Sequence, residues 1–248
     1  MSGFDWDILL PALAAGLLIL STHVPFGMRV LQRGVIFADI AVAQIAGLGV
    51  VMAGLAGLEQ QPWLVQGVAV ASALCGAAVL AWLERAATEV KEAGIGLAFV
   101  LAATLGILLM SRDVHAGEHL KDMLVGQILW VSNTQLLATG LLSAVVLLAW
   151  RVLRARQGHF VFYALFALVV TASVQLAGIY LVFASLIVPA LATHKLKRWR
   201  LQVAYAVGIA GYVLGLLVSV WLDLPAGAAI VWMLVLSGAP VLLRPARA

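Results

Sequence analysis

The sequence predicts an all-α, polytopic helical membrane protein with eight or nine transmembrane helices, and three observations lead to this prediction. Of the 248 residues, 64% are hydrophobic and only 10% are charged, whereas soluble domains are about a quarter charged. The mean hydropathy is +1.09. Apolar runs of about 20 residues recur along the chain, which is the length an α-helix needs to cross a hydrocarbon core of roughly 30 Å. Because no polar interval is long enough for a soluble domain, we expect residues 1–248 to form a single transmembrane domain.

Nine apolar segments account for the predicted spans. They cover residues 7–24, 34–57, 63–83, 93–111, 133–153, 159–176, 179–194, 201–221 and 225–243. Only a short stretch containing Gly178 separates the sixth segment from the seventh, and glycine is typical of a tight turn. Two interpretations stay open: a hairpin between two spans, which gives nine, or one broken helix that lines a cavity, which gives eight. Segment 117–130 is too polar to cross, and we expect it to form a short helix at the outer face.

The distribution of basic residues predicts the orientation in the membrane. All of the 15 lysines and arginines except Arg112 and Lys121 fall in or beside alternate loops, around Arg33, Arg85, Arg154, Lys197 and Arg244. The positive-inside rule makes these loops cytoplasmic, with the N-terminus outside and the C-terminus inside. The net charge of +4 therefore indicates topology, and we expect no nucleic-acid partner.

Asp39 is a carboxylate within an apolar segment, and Gln44 follows it in the same segment. An ionised Asp at the centre of a membrane helix costs roughly 2.5–3.5 kcal/mol on insertion scales, and such residues usually serve a transport pathway. We therefore expect Asp39 to face a pore or the interior of a helix bundle. The two side chains diverge by roughly 140° around a helix, so they can border one wide cavity. A structural buried acid, hydrogen-bonded to a neighbouring helix, is the alternative. His23, just before Pro25, is expected to cap or pack at the inner end of the first span.

A second candidate site lies in the outer segment after the fourth span. His115, Glu118 and His119 stand close together there, with further carboxylates at Asp113 and Asp122. Imidazole and carboxylate groups are the ligand set for zinc, manganese and ferrous iron. The segment is therefore a hypothesis for metal capture, and its alternative is a solvated loop whose charges cannot enter lipid.

Motifs for covalent catalysis and nucleotide binding are absent from the sequence. It contains neither Gly-x-Ser-x-Gly nor a phosphate-binding Gly-x-x-x-x-Gly-Lys-Ser/Thr loop. The single cysteine, Cys75, lies in an apolar segment, so no intrachain disulfide or thiolate metal cluster is possible. We expect a protein that is not an enzyme and has no covalently bound cofactor, and any ATP hydrolysis must come from another polypeptide.

Five motifs occur in an order found in a known family. They are Arg33-Gly34 before Asp39 and Gln44; Glu92-Ala-Gly94-Ile95-Gly96; Asp122-Met-Leu-Val-Gly126-Gln127-Ile128-Leu129; Gln175-Leu-Ala-Gly178-Ile-Tyr-Leu-Val-Phe-Ala-Ser185-Leu-Ile-Val-Pro189-Ala190; and Asp223-Leu-Pro225-Ala-Gly227. In these motifs the chain resembles the membrane permease subunit of zinc/manganese/iron ABC importers over most of its length.

The resemblance implies a multi-pass permease in the bacterial inner membrane that works as a homodimer. It implies two kinds of partner, a cytoplasmic ATPase subunit and a periplasmic or extracellular metal-binding protein. The cargo would be a divalent metal, with zinc expected first and manganese or ferrous iron as alternatives. Asp39 takes the position of the family's gating acid, and Gln44 takes the position of its gating histidine. An ATP-independent carrier or channel for a cation is the alternative function.

The chain departs from the family pattern in two places. Gln44 offers a neutral amide where the family has imidazole, and an amide oxygen is a poor ligand for zinc. The inner loop from Arg154 to His159 is also shorter than the family's coupling segment. Engagement of the ATPase would then move to another inner loop, such as Glu84–Glu92.

Overall fold

The computed structural model describes residues 6–58, 60–85, 88–111, 124–153 and 158–243. Regular structure in these ranges is helical, without β-strands, which confirms the predicted class. The helices are α1 (Trp6–Arg33), α2 (Ala38–Leu55), α3 (Pro62–Leu83), α4 (Thr88–Met110), α5 (Asn133–Val152), α6 (His159–Ala192), α7 (Arg200–Leu222) and α8 (Ala226–Leu242), with a 3₁₀ turn at Ile128–Trp130. By length and composition, α1 to α7 are able to cross a membrane, and α8 is a shorter apolar helix. These described helices establish a multi-pass integral membrane protein.

Helix α1 extends further than the predicted span 7–24 because Pro25 does not end it. Proline has no N–H, so the carbonyl of Ser21, four residues earlier, loses its helical hydrogen bond. The hydroxyl of Tyr205 in α7 donates to this carbonyl oxygen at 3.0 Å and replaces the missing bond. The helix therefore continues to Arg33, and the chain turns through Gly34, whose φ is +62°, before α2 begins at Ala38.

Helix α6 is interrupted at Gly178, where φ is 76° and ψ is 164°. This conformation is open to glycine and strained for other residues. Gly178 lies backbone against backbone with Gly126, whose φ is also positive at 68°. A residue with a side chain fits at neither position, because a Cβ on Gly126 or on Gly178 would overlap main-chain atoms of the other's segment.

Both ends of α6 lie beside loops that the basic residues assign to the cytoplasm. At its start, Nδ1–H of His159 donates to Oε2 of Glu84 at 2.6 Å, next to Arg85. Its end at Ala192 leads into the loop that contains Lys197. Gly178, between them, contacts Gly126 in the segment before α5, which the basic residues assign to the outer side. The break at Gly178 is the feature that the hairpin interpretation requires, in which α6 would cross the membrane twice, and the choice between eight and nine spans stays a prediction.

The chain divides into two compact units. The first unit comprises Met1–Arg33, Leu124–Val145 and Gln175–Ala248, and in it α7 packs against α1 and α8. The second unit comprises Gly34–Met123 and Val146–Val174, and in it α2 packs against α3 and α4. Small residues allow this close packing: Gly211 and Gly215 of α7 lie against Leu234 and Ile230 of α8. The single domain expected over residues 1–248 stays a prediction.

Candidate functional site

Asp39 lies in the first turn of α2 and is only 1% exposed. This confirms the expectation that its side chain avoids lipid. Its Oδ1 is buried and has no hydrogen-bond partner among the described residues. A buried polar atom without a partner costs about 1–3 kcal/mol. The described residues therefore do not make Asp39 a fully hydrogen-bonded structural acid, which was the alternative interpretation.

Glu92 is the second carboxylate at this end of the second unit. The backbone N–H of Phe37, which precedes the first turn of α2, donates to its Oε1 at 3.2 Å. Its other oxygen, Oε2, is buried and has no hydrogen-bond partner among the described residues. Glu92 thus bonds the chain at Phe37, two residues before Asp39, and leaves one carboxylate oxygen without a partner among the described residues.

Gln44 is also buried, at 6% exposure. It lies within α2, the helix that packs against both α3 and α4. On the same helix, Ile45 packs on Gly76 and Gly49 packs on Ser72 of α3. Because α2 has protein neighbours on more than one side, Asp39 and Gln44 can both be buried although they point in different directions around the helix.

The outer candidates His115, Glu118 and His119 lie outside the described residues, as does Asp122. Within the described ranges, no three His, Cys, Asp or Glu side chains come together as a group that could hold a metal. Cys75 is a free, exposed thiol. The outer capture site therefore stays a prediction.

His23 lies elsewhere than the sequence suggested. It is inside α1, ten residues before the helix ends at Arg33, and is 1% exposed. Its burial agrees with the expectation that it packs, but it does not cap the inner end of the first span, because α1 continues through Pro25 to Arg33. Sequence reasoning assigned a site role neither to His23 nor to Glu92. A histidine near the middle of an apolar helix is the signal that would have identified the first, since intramembrane ionisable residues are uncommon.

An apolar groove of about 400 Å³ lies between the second half of α6 and α8 in the first unit. Its walls include Tyr180, Phe183, Ile187, Trp232 and Val235, and no carboxylate, imidazole or thiol is among the lining residues. A groove of this kind suits an acyl chain or another helix. It is not a candidate for cation binding.

Comparison with protein families gives one match. A model described as the ABC 3 transport family matches residues 5–157 and 151–242. Together these two matches cover almost the whole of the chain.

Curated relatives agree with this match. The chain is 24% identical to the "Probable iron transport system membrane protein" of Haemophilus influenzae, covering 92% of this chain and 93% of the relative. It is 28% identical to the "Manganese transport system membrane protein MntC" of Halalkalibacterium halodurans, covering 92% and 84%. It is 27% identical to the "Chelated iron transport system membrane protein YfeD" of Yersinia pestis, covering 84% and 82%.

Among solved structures, the chain is similar to one described as PsaBC from Streptococcus pneumoniae in complex with Fab. The TM-score is 0.76 at 20% sequence identity, and the alignment covers 96% of this chain and 91% of that chain. The arrangement of helices is therefore shared along nearly the full length.

Proposed function

The chain belongs to the ABC 3 transport family, and on this premise we propose that it carries a first-row divalent metal ion into a bacterial cell as the permease subunit of an importer. A separate ATPase subunit would drive alternating access, and a binding protein outside would deliver the metal. The permease would work as a homodimer in the inner membrane.

The observation that carries this proposal is the buried carboxylate of Asp39. It lies in a membrane-spanning helix with an oxygen that no described residue satisfies. Placing an acid there costs roughly 2.5–3.5 kcal/mol on insertion scales, and such acids usually mark ion pathways. A cation in transit would supply the missing partner. Asp39 is therefore the residue that we expect to pass the metal.

Glu92 extends this site. Like Oδ1 of Asp39, its Oε2 is buried without a hydrogen-bond partner in the described ranges, and its other oxygen accepts from the Phe37 amide. The carboxylates of Asp39 in α2 and Glu92 in α4 would offer oxygen ligands, which suit manganese and other hard or borderline cations. Gln44 would contribute a neutral amide oxygen further along the same helix. The outer residues His115, Glu118 and His119 would receive the metal from the binding protein.

The ATPase would dock on the inner surface around Glu84 and His159. The shortened loop ends at His159, which is paired with Glu84 at 2.6 Å. The side chain of His159 is 50% exposed, while that of Glu84 is 7% exposed. This pair links the loop before α4 to the loop before α6, so one docking surface could act on both helices.

We propose iron or manganese as the transported metal. The curated relatives are named for iron and manganese, and these names favour those two metals, whereas the sequence motifs led us to expect zinc first. Uptake of Fe²⁺, Mn²⁺ and Zn²⁺ by cells that express the complete transporter, each measured in the presence of the other two, distinguishes the three.

Gentle purification from native membranes, followed by mass spectrometry of the proteins that come along, tests the importer mechanism. We expect an ATPase subunit at one copy per permease. His159→Ala removes the pair with Glu84 at the docking surface and should reduce the recovery of this subunit. The matched control is His194→Ala, because His194 is an exposed histidine on a different inner loop.

An ATP-independent cation carrier is the second candidate, and the short loop that ends at His159 favours it. Permease that reproducibly purifies alone, in a detergent that preserves other permease–ATPase complexes, would reject the importer mechanism. Transport that depends on the proton gradient and not on ATP would then establish the carrier.

A further inference from the structure

His23 is an imidazole deep inside a spanning helix. It lies ten residues before the end of α1 at Arg33, which is about 15 Å along the helix axis. Its side chain is 1% exposed, and the neighbouring Thr22 is fully buried. At this depth the ring neither caps a helix end nor reaches water beyond the membrane surface.

One ring nitrogen of His23 is occupied by the backbone. Nδ1 lies 3.0 Å from the carbonyl oxygen of Ile19, and a carbonyl can only accept a hydrogen bond, so Nδ1 must carry the proton. The hydroxyl of Thr22, 3.1 Å from the same oxygen, adds a second donor beside it. In the neutral ring the proton on Nδ1 leaves Nε2 with its lone pair.

The other nitrogen, Nε2, has nothing in the described structure to bind. It is buried and has no hydrogen-bond partner among the described residues. The described carboxylates of the first unit are remote: Asp7 is 16 residues earlier on the same helix, about 24 Å away along its axis, and Asp223 lies beyond the end of α7. The lone pair of Nε2 therefore has no partner among the residues that the structure describes.

We propose that Nε2 of His23 is a ligand for the transported metal ion, a role that rests on the proposed function. A histidine whose second nitrogen donates to a backbone carbonyl has the arrangement typical of metal-binding imidazoles, because that bond fixes both the tautomer and the ring orientation. Of the described histidines, His159 and His194 lie at exposed positions, so His23 is the one buried within a span.

The ligand type sets the class of cargo. Imidazole suits iron, zinc, nickel and copper, whereas magnesium and calcium prefer oxygen ligands alone. An imidazole ligand on the pathway would favour first-row transition metals over the abundant alkaline-earth ions. His23 is thus a specificity-determining ligand as well as a stopping point for the ion.

Pulsed electron paramagnetic resonance of Mn²⁺ tests this assignment, because an imidazole ligand gives a ¹⁴N coupling. One equivalent of Mn²⁺ is bound to the purified transporter in lipid nanodiscs, in a His115→Asn/His119→Asn background so that these two outer histidines contribute no nitrogen. The key variant is His23→Asn, whose amide can still donate to the Ile19 carbonyl but offers no imidazole. His194→Asn is the control, since Nδ1 of His194 bonds the Leu191 carbonyl at 2.7 Å at an exposed site.

We expect the ¹⁴N coupling in the background protein and in the His194→Asn variant, and its loss in the His23→Asn variant. Fe²⁺ and Zn²⁺ uptake by the His23→Asn transporter should fall about tenfold. If His23→Asn does not fold, His23→Gln, with an amide nearer the Nε2 position, takes its place. A coupling that persists in the His23 variant, or is absent from the background protein that binds Mn²⁺, overturns the inference. Failure of the unmodified transporter to take up any of the three metals would instead reject the proposed function.

Discussion

Phe37 donates its backbone N–H to Oε1 of Glu92, 55 residues later in the chain, at 3.2 Å. The bond ties the residue before α2 to the first turns of α4. Phe37 stands two residues before Asp39 in the chain. The two oxygens of Glu92 are therefore distinct: Oε1 positions α2, and Oε2 is buried with no hydrogen-bond partner among the described residues.

Substitutions of Glu92 separate these roles. Glu92→Gln keeps an oxygen acceptor for the Phe37 amide, so we expect unchanged thermal stability but reduced metal uptake. Glu92→Ala removes the acceptor as well and should destabilise the protein by about 1 kcal/mol. Thermal unfolding in detergent and uptake in cells are the two measurements. Wild-type uptake by the Gln variant would show that Glu92 is only structural.

Gly178→Ala should strongly destabilise the turn in α6. A side chain at φ 76° and ψ 164° is strained by about 1–3 kcal/mol, and the new Cβ would also overlap the backbone of Gly126. Gly96→Ala is the control because nothing lies within 4 Å of a Cβ there, and alanine favours a helix interior. We expect gel filtration to give a lower yield of folded protein for Gly178→Ala and an unchanged yield for Gly96→Ala. Equal yields would mean that the two glycines are not in contact.

Tyr205→Phe should destabilise the protein by about 0.5–1.5 kcal/mol, because the Ser21 carbonyl would lose the donor that replaces the missing N–H of Pro25. The loss should shrink in a Pro25→Ala background, where residue 25 regains an N–H that bonds the same carbonyl. A double-mutant cycle of unfolding free energies measures this coupling. Tyr180→Phe, at a residue that is 56% exposed, should be neutral. Additive effects of the Tyr205 and Pro25 substitutions would contradict the role of the Tyr205 hydroxyl as the donor that replaces the Pro25 N–H.

The Tyr205 contact explains why the extent of α1 was beyond sequence analysis. Helical class, approximate spans and the burial of Asp39 followed from the hydropathy pattern and the cost of a charge in lipid, since both depend on local composition. The continuation of α1 through Pro25 depends on a hydroxyl 184 residues from Ser21. No local pattern contains that information.

In the candidate site too, some residues could be identified from local sequence and others only from contacts between distant segments. Asp39 and Gln44 were identifiable because a polar residue in an apolar segment stands out. Glu92 was not, because in the sequence it sits among the other charges of a loop, and its role depends on the Phe37 amide. His23 was noticed but placed at a helix end, so its unpartnered nitrogen became apparent only once α1 was seen to continue past it.

Cysteine labelling tests the double crossing of α6. In a Cys75→Ala background, cysteines at the exposed positions Gly158 and Lys197 should react with a membrane-impermeant maleimide only from the cytoplasmic side. A helix that crossed once would place these two positions on opposite sides. Labelling of either position from outside intact cells would therefore restore the eight-span interpretation.

The most direct test of the whole account is metal uptake by the Asp39→Asn transporter. Asparagine keeps the size of the side chain and removes only its ability to carry a negative charge. We predict that the variant reaches the membrane at the wild-type level and still recovers the ATPase subunit, while uptake falls at least about tenfold, equivalent to about 1.4 kcal/mol. Uptake at the wild-type rate, or the absence of folded protein from the membrane, would contradict a role for Asp39 in passing the metal.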